Sequence, residues 1–451
     1  MNPRVPTAVQ RVIRTLRRNE YQGFVVGGAV RDITLGRKPR DWDVATDALP
    51  EAVEKIFPKT VPIGKKFGTV TVLGGGMEVQ VTTFRSEENY KDRRRPSKVT
   101  FHSQIDVDLS RRDFTINAMA YDPEKRRFID PFCGRNDLKA RRLRTVGPAT
   151  ERFAEDTLRI IRAGRFISEL GLRPQAGLLS AARAQSSNVR RLSAERIRDE
   201  LSKLLLGRDP TRGLVWLDRA GVLRTILPEL FRTKGVKQGG VHQYDVFRHT
   251  LRSVEEAPAD LTLRLALLLH DVAKPIRRRR IGGRYRFFGH ETVGARMAEK
   301  VLRRLRYPGS VIEDVSVLIR NHLFEAETIF SNDSAIRRLI RKVGEERIDR
   351  LVLLRKADVL GCGHDRRPSP KFDELKRRIR RIRRKKHALT LHDLAADGND
   401  VMKWLKVRPG PEVGTILSNL LAAVLGNPEL NNKKTLKKLA RKVKAPNAVG
   451  D

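Results

Sequence analysis

The spacing of apolar residues divides the chain into a mixed first part and a helical remainder. Near the N-terminus, five aliphatic residues predict one face of a helix: Val5, Val9, Val12, Ile13 and Leu16. Runs rich in β-branched and aromatic residues predict four strands: FVV (24–26), FGTVTVL (67–73), EVQVTTF (78–84) and KVTFHS (98–103). PEAVEKIF (50–57) predicts a helix between them. Residues 1–150 are therefore expected to form an α+β unit around a small sheet.

From residue 151 the strand signals largely stop, and apolar residues recur every three to four positions. The pattern predicts an all-helical neck over residues 151–235, as in AERIRDELSKLLLG (194–207). Residues 242–364 hold six of the nine histidines, which indicates a further unit over 242–365. The strongly basic segment 366–386 lacks an evident apolar stripe and is interpreted as a linker or solvated helix, leading into a helical tail in 366–451.

Charge indicates the kind of partner. The chain carries 93 Lys and Arg against 53 Asp and Glu, a net charge of +40, which favours a polyanion such as nucleic acid. No apolar run approaches the length that spans a bilayer, so no membrane partner is expected. The only cysteines, Cys133 and Cys362, predict neither a disulfide framework nor a cysteine-based zinc site. Because the N-terminal segment lacks the apolar core of a signal peptide, a cytoplasmic location is expected.

Two glycines and two aspartates follow the first predicted strand. Gly27 and Gly28 come directly after FVV, and glycines at a strand-to-helix turn let backbone N–H groups approach a phosphate, although such a pair also serves in ordinary tight turns. Arg31 adds a positive charge one turn later. Asp41 and Asp43 alternate with period two, so on a strand both carboxylates project from one face. Since adjacent carboxylates repel, Mg²⁺ accompanying a triphosphate is the expected occupant of this pair.

Five motifs occur in a fixed order, and together they point to one family. They are GGAVRD (27–32), LGRKPRDWDVATD (35–47), RRPSKVTF (94–101), DLSRRDFTINAMAYD (108–122) and AEDTLRIIRAGRF (154–166). The series resembles the bacterial-type tRNA nucleotidyltransferases and poly(A) polymerases, whose head has the catalytic fold of DNA polymerase beta. This resemblance implies a nucleotidyltransferase head over residues 1–150. It also implies that Asp41 and Asp43 hold catalytic Mg²⁺ and that Gly27, Gly28 and Arg31 contact the nucleotide phosphates.

The same resemblance assigns three residues of RRDFTINA to nucleotide binding, including the ribose: Arg112, Asp113 and Asn117. An aspartate and an asparagine four residues apart on one helical face can accept from and donate to a 2′-hydroxyl, which is consistent with that role. The alternative is that Asp113 caps the N-terminus of a charged helix.

The EDTLR motif suggests how a base is chosen without a template. On a helix Asp156 and Arg159 would lie one turn apart, and Arg162 and Arg165 would continue the same row. A carboxylate accepts hydrogen bonds and a guanidinium donates a planar fork, so the pair can imitate the pairing edge of a base. In the resembled family this pair selects CTP and ATP, and the following arginines line the triphosphate site. The alternative is an ordinary Glu155–Arg159 ion pair on the protein surface.

One position departs from the family pattern. The family usually has glutamate directly before the VTTF strand segment, where a third carboxylate could join the metal site, but this chain has Gln80. Glu78 lies two residues earlier on the same predicted strand face. Either Glu78 substitutes for the missing carboxylate or the two aspartates suffice.

The histidine-rich segment resembles a second family. HQYDVFRHT (242–250), LALLLHDVAKP (265–275), GHETVGA (289–295), IRNHLF (319–324) and KADVLG (356–361) match the HD-type metal phosphohydrolases. The resemblance implies six ligands for a divalent metal (Mn²⁺, Ni²⁺, Co²⁺ or Fe²⁺): His249, His270, Asp271, His290, His322 and Asp358. Water activated by that metal would attack a phosphate ester. The alternative is a helical domain retained for packing or for supporting tRNA.

The expected function is template-independent addition of CCA to tRNA 3′ ends from CTP and ATP, with Mg²⁺. The segment LTLHDLAADGNDVMKWLKVRPGPEVGTIL (389–417) resembles the region that follows the HD domain in one group of CCA-adding enzymes, which favours tRNA over poly(A) synthesis. Three alternatives stay open: a poly(A) polymerase, a partial enzyme adding only CC or only A, and an RNA-binding HD phosphohydrolase with an inactive head. Nothing in the sequence predicts an oligomeric state.

Overall fold

The computed structural model describes residues 4–62, 68–88, 98–240, 242–324, 332–363, 370–385 and 388–444. Parts of three predicted segments lie outside these residues: Phe67, residues 94–97 of the RRPSKVTF motif, and both ends of the basic segment 366–386. The chain forms two compact units, Met1–Phe231 and Arg232–Asp451, each described below by itself.

The first unit contains a seven-stranded sheet with the order β3-β4-β5-β2-β1-β8-β9. Its strands are β1 Phe24–Val26, β2 Asp43–Thr46, β3 Thr60–Val61, β4 Thr69–Gly74, β5 Met77–Thr83, β8 Ala120–Asp122 and β9 Arg127–Ile129. The β2–β5 pair is parallel and the other pairs are antiparallel. A separate antiparallel pair joins β6 Arg85–Glu88 to β7 Lys98–Phe101. All four predicted strands are therefore present.

Alternating burial explains this sheet. In β5 Val79 and Val81 are buried whereas Glu78 and Gln80 are exposed, as expected for a strand with one face against a core. One core cluster includes Phe24, Phe84 and Leu109. The predicted apolar face of the first helix, α1 Thr7–Arg18, is also buried.

Helices complete the first unit. They are α2 Gly28–Thr34, α3 Pro50–Ile56, α4 Ile105–Ser110, α5 Gly134–Lys139, α6 Ala149–Glu155, α7 Leu158–Leu170, α8 Leu178–Gln185, α9 Ala194–Leu205, α10 Pro210–Arg219, α11 Leu223–Ile226 and α12 Pro228–Phe231. Helix α7 packs closely on α9 and α10, since a Cβ on Gly164 would lie only 3.1 Å from Trp216 and 3.2 Å from Leu204. The neck is helical as predicted, except for a short parallel pair of β10 Arg142–Leu143 with β11 Arg173–Pro174.

In the described part of the second unit, the regular structure is helical apart from one hairpin. Its helices are α13 Val246–Glu255, α14 Leu261–Leu269, α15 Lys274–Arg277, α16 His290–Arg304, α17 Gly309–Arg320, α18 Asp333–Val343, α19 Ile348–Gly361, α20 Lys371–Arg384, α21 Gly398–Leu405, α22 Pro411–Gly426 and α23 Lys433–Lys444. The hairpin pairs β12 Arg279–Ile281 with β13 Arg284–Arg286 around two glycines of positive φ, Gly282 and Gly283. None of the helices described is long and apolar enough to cross a membrane.

The interpretation of residues 366–386 as lacking an apolar stripe was wrong. Helix α20 buries four apolar residues at helical spacing: Phe372, Leu375, Ile379 and Ile382. Arg378 and Arg381 on the same helix pair with Asp333 of α18, at 2.5 and 2.8 Å. Among the many basic residues a narrow apolar stripe packs against the rest of the unit, so helix α20 is part of the folded unit rather than a free linker.

Candidate active site and metal centre

Asp41 and Asp43 lie side by side in the first unit, although not as two residues of one strand. Strand β2 begins at Asp43, and Asp41 lies in a bend before it, which corrects the expectation that both project from the strand. Burial raises the pKa of Asp43; the Arg112 guanidinium opposes this shift and the neighbouring Asp41 carboxylate adds to it. Burial and the Asp41 carboxylate thus make the ionised form of Asp43 less favourable, and a bound cation would stabilise that form.

A glycine turn lies directly against this pair. Gly27 has a φ of +68°, and a Cβ there would lie 2.8 Å from Arg112 Nη1 and 3.7 Å from Asp43 Oδ2. Glycine is therefore required by both the backbone conformation and the available space. Arg112 is held in place by Asp108, whose Oδ2 accepts from its Nη2 at 2.9 Å. Asp108 was not predicted to have a role, although its position four residues before Arg112 is the spacing at which two helical residues can form an ion pair.

Polar contacts connect the glycine helix to the neck. Arg31 Nη1 donates to Asn117 Oδ1 at 3.0 Å, and Asn117 Nδ2 donates to Asp113 Oδ1 at 3.1 Å. The other carboxylate oxygen of Asp113 lies 3.1 Å from Arg162 Nη1 on α7. The expectation that Asp113 and Asn117 share one face of an α-helix was wrong. Asp113 precedes a 3₁₀ turn, Thr115–Asn117, and its carboxylate accepts a hydrogen bond from the backbone N–H of Phe114. We call this connected set the phosphate-side network.

The arginines of α7 extend that network to a buried glutamate. Arg165 Nη1 donates to Glu200 Oε2 at 3.0 Å, and Arg162 Nε lies 3.7 Å from Glu200 Oε1. The guanidinium groups of Arg31, Arg162 and Arg165 lie 5.4, 6.0 and 4.5 Å from the ring centre of buried Phe166, within cation–π distance. The three guanidinium groups therefore converge on one ring, and each is also paired with a carboxylate. Glu200 was missed because it lies on another helix, far from α7 in sequence.

Asp156 and Arg159 are close in sequence but do not pair with each other. Asp156 lies between α6 and α7 rather than on a helix, so only Arg159 begins the predicted row of α7. Asp156 Oδ1 accepts from the Leu158 backbone N–H at 3.0 Å, and its Oδ2 pairs with Arg196 at 2.7 Å. Arg159 is buried and donates to Glu155 at 2.5 Å. The alternative Glu155–Arg159 ion pair therefore forms, although Arg159 is buried rather than on the surface. The pairing of Asp156 with Arg196 was not predicted.

Gln80 occupies the position beside Asp43. In the parallel β2–β5 pair the two residues are register partners, so their side chains share a face of the sheet. The ladder begins at this pair and does not extend to Asp41 and Glu78; both Glu78 and Gln80 are exposed. In the described part of the chain, none of the compact groups of three potential ligands includes Asp41 or Asp43.

The second unit brings all six predicted histidine and aspartate ligands into one buried cluster. His249 lies on α13, His270 and Asp271 follow α14, His290 opens α16, His322 follows α17, and Asp358 lies on α19; none is more than 6% exposed. His249 Nε2 lies 3.0 Å from Asp358 Oδ1, His270 Nε2 lies 3.2 Å from Asp271 Oδ2, and His290 Nε2 lies 3.3 Å from Asp271 Oδ1. We call these six residues the HD cluster.

Backbone carbonyls orient three of the four imidazoles. The Nδ1 atoms of His270, His290 and His322 lie 2.6–2.7 Å from the carbonyl oxygens three residues earlier, which fixes Nδ1 as the donor. In the neutral form of each ring, Nε2 then carries the lone pair, the arrangement that metal-ligating histidines use. Two compact ligand groups result: His249, His270 and Asp358, and Asp271, His290 and His322.

The electrostatics of the HD cluster fit a divalent cation. Burial opposes a charged imidazole, but Asp271 and Asp358 outweigh it and raise the pKa of His270 to about 10. Burial and the neighbouring His270 lower the pKa of His322 to about 3. Three buried atoms of the cluster have no hydrogen-bond partner: His249 Nδ1, His290 Nε2 and Asp271 Oδ1. Such atoms are rare in folded proteins, and a divalent metal that prefers oxygen and nitrogen ligands would satisfy them here.

Two further residues contact the cluster and were not predicted. The ammonium of buried Lys274 lies 2.6 Å from Asp271 Oδ2 and donates to Gln238 Oε1 at 2.6 Å. Arg355 Nη1 donates to Asp358 Oδ2 at 2.6 Å. The i, i+3 spacings from Asp271 to Lys274 and from Arg355 to Asp358 were signals for both contacts.

Three family models match this chain in succession. The "Poly A polymerase head domain" matches residues 23–144. The "Probable RNA and SrmB- binding site of polymerase A" matches residues 171–233, and the "HD domain" matches residues 240–361. The first model includes Asp41, Asp43 and the Gly27 turn, and the third includes all six residues of the HD cluster.

Relatives and solved structures extend the match over nearly the whole chain. A CCA-adding enzyme of Geobacillus thermodenitrificans (strain NG80-2) is 34% identical over 94% of this chain and 93% of the relative. One of Bacillus pumilus (strain SAFR-032) is 47% identical over 44% of this chain and 49% of the relative. The Bacillus stearothermophilus CCA-adding enzyme in complex with CTP shares 30% identity and a TM-score of 0.71, covering 97% of this chain and 98% of that chain.

A more distant structure agrees in fold alone. The Thermotoga maritima CCA-adding enzyme complexed with tRNA has 20% identity and a TM-score of 0.62, over 97% of this chain and 95% of that chain. Because the Geobacillus relative is similar from end to end, both compact units are included in the match. This chain belongs to the family of CCA-adding enzymes, which are tRNA nucleotidyltransferases.

Proposed function

We propose that this chain adds CCA to tRNA 3′ ends, using CTP and ATP, with Mg²⁺ at Asp41 and Asp43. The observation that supports it best is the junction of three groups in the first unit. The Asp43 carboxylate lies against the Gly27 turn and Arg112, and the Arg31–Asn117–Asp113–Arg162 contacts extend from that turn to α7. The similar Bacillus stearothermophilus enzyme binds CTP.

In this proposal the residues divide the work of nucleotidyl transfer. When bound, Mg²⁺ supplies charge neutralisation for the attacking and leaving oxygens. Arg31, Arg162 and Arg165 bind the triphosphate, because their guanidinium groups converge on Phe166 and can donate to phosphate oxygens. Asp113 and Asn117 bind the ribose, and Asp108 keeps Arg112 directed at the Gly27 turn.

Asp156 and Arg159 read the base in this proposal, after exchanging their present partners. Asp156 offers an acceptor now used by Arg196, and Arg159 offers a donor fork now used by Glu155. An incoming cytosine or adenine would replace these contacts. UTP and GTP would be poor substrates, because a mismatched buried polar group left unpaired costs about 1–3 kcal/mol.

The first prediction uses a tRNA that ends at its discriminator base. With CTP alone we expect two additions, with CTP and ATP three additions and a stop, and with ATP alone none. Gel analysis of extended tRNA with each nucleotide mixture measures this directly. A long adenylate tail would instead establish a poly(A) polymerase, and a stop after CC with ATP present would establish a partial enzyme. No addition under any mixture would establish an inactive head.

The second prediction concerns the third carboxylate. If Glu78 serves beside Asp41, Glu78→Gln should lower the rate of addition by about tenfold to a hundredfold, the usual range for a supporting metal-site group. Gln80→Glu in the same chain should restore much of that loss, since residue 80 faces Asp43 directly. The single variant Gln80→Glu is the matched control. Full activity in Glu78→Gln would mean that the two aspartates suffice.

We propose a second activity for the HD cluster, metal-dependent hydrolysis of a phosphate ester. Two observations support it: the two compact ligand groups, and the buried nitrogen and oxygen atoms of the cluster that have no hydrogen-bond partner. A bound divalent metal supplies an activated water for such a reaction. Lys274 holds Asp271 in position. The β12–β13 hairpin lies between Asp271 and His290 in the sequence, and its exposed arginines favour an anionic substrate: Arg279, Arg280, Arg284 and Arg286.

A further inference from the structure

A thiol lies next to the HD cluster and plays no part in it. Cys362 ends α19 one turn after Asp358 and is buried, with its sulfur 3.4 Å from His242 Nδ1. The ligand atoms of His242, His249 and Cys362 all lie within 4.8 Å of one another. His242 and Cys362 are 120 residues apart in sequence, which is why the two cysteines alone did not indicate a cysteine-containing metal site.

The spacing matches two ligands of one metal ion. With Zn–S near 2.3 Å and Zn–N near 2.0–2.1 Å, a tetrahedral ion separates sulfur from nitrogen by about 3.5 Å. The His242 and His249 rings meet edge to face, with their centroids 5.0 Å apart. His249 directs Nε2 at Asp358, and its buried Nδ1 has no hydrogen-bond partner. That nitrogen is therefore available to a second ion without loss of an existing contact.

We infer that His242, His249 and Cys362 form a separate site for a thiophilic divalent metal such as Zn²⁺. A set of two imidazoles and one thiolate suits a borderline-soft ion, unlike the imidazole and carboxylate set of the HD cluster. On binding, the thiol proton leaves to solvent and the sulfur binds as thiolate. His242 is half-buried, so the fourth position is open to water or an external ligand. His249 then joins the two sites through its two ring nitrogens.

The test is Co²⁺ titration of the full-length protein, read from thiolate-to-metal absorption in the near ultraviolet. The chain offers a matched pair of variants, because its other cysteine, Cys133, is exposed and belongs to the first unit. Cys133→Ser should keep the band and Cys362→Ser should lose it. His242→Ala should weaken Co²⁺ binding at the band by about tenfold or more, as expected for loss of a metal-site group.

The outcome separates this site from the HD cluster, which contains no sulfur. Absence of the band in Cys133→Ser, or its persistence in Cys362→Ser, would overturn the inference whatever the HD cluster does. Because Cys133→Ser leaves the second unit unaltered, the result with this variant does not depend on whether a Cys362 variant folds. Equal Zn²⁺ stoichiometry of the Cys133→Ser and Cys362→Ser proteins after dialysis would also contradict it.

Discussion

Replacing Asp43 by asparagine is expected to lower the rate of nucleotide addition by about a thousandfold, equivalent to roughly 4 kcal/mol of transition-state stabilisation. The change removes one charge from the Asp41–Asp43 pair while keeping the shape of the side chain. Because Asp43 is partly buried beside Arg112, its loss leaves the positive charge of Arg112 without this neighbour. Single-turnover addition of CMP to tRNA measures the effect.

Affinity for tRNA should be unchanged in this variant, because the basic surface is retained. Asp106→Asn is the matched control, since Asp106 is an exposed carboxylate on α4 of the same unit. Activity within tenfold of wild type in Asp43→Asn would contradict the assignment. A parallel loss of tRNA binding would mean that the variant is misfolded rather than unable to hold the metal.

Replacing Asp271 by asparagine is expected to abolish the response of the second unit to divalent metals. A ligand at about a hundred times its Kd stabilises the folded state by about 2.7 kcal/mol, or roughly 5–10 °C in Tm for a unit of this size. Asp271 contacts His270, His290 and Lys274 within 3.3 Å, so its charge is central to the cluster. Thermal unfolding with Mn²⁺, Ni²⁺ or Co²⁺, against chelator, measures the shift, and any phosphodiesterase or phosphatase activity should disappear with it.

Asp271→Asn also leaves the ammonium of Lys274 buried with fewer partners, which itself destabilises the fold. His322→Ala is therefore the second variant, because His322 is neutral and its removal strands no charge. His392→Ala, an exposed histidine of the tail, is the matched control and should keep the full metal response. Equal metal-induced shifts in wild type and both cluster variants would contradict a metal site there. In every variant, nucleotide addition should be retained.

The sequence predicted best where a motif and its local structure coincide. Each ligand of the HD cluster lies within a short motif, and helix packing needed only to bring those motifs together. Three of the seven strands of the sheet, β1, β4 and β5, were also predicted, because residues such as Val79 and Val81 alternate with polar residues and face a core. Contacts formed by packing of distant helices were not predictable: Arg196 reaches Asp156 across 40 residues, and Glu200 reaches Arg165 across 35.

Two predictions were wrong although the sequence of each segment contained evidence for the observed structure. In α20 the arginines dominate the composition and obscured four apolar residues at helical spacing. At EDTLR an uninterrupted helix was assumed, although Asp and Thr before an apolar periodic run are typical of a helix start. In the structure Asp156 accepts from the N–H of Leu158, at the first residue of α7.

That interruption between α6 and α7 has a mechanical consequence. On one continuous helix, Asp156 and Arg159 would turn together as a rigid body. Here Asp156 has an extended backbone and lies outside the helix, where its carboxylate accepts from the Leu158 N–H and its carbonyl accepts from the Arg159 N–H, both at 3.0 Å. Residues at the ends of elements are where hinge motions commonly occur. In the proposed base-reading role, the Asp156 carboxylate would therefore not be fixed to the same rigid helix as the Arg159 guanidinium, which suits a pair that has to accept a pyrimidine in one step and a purine in another.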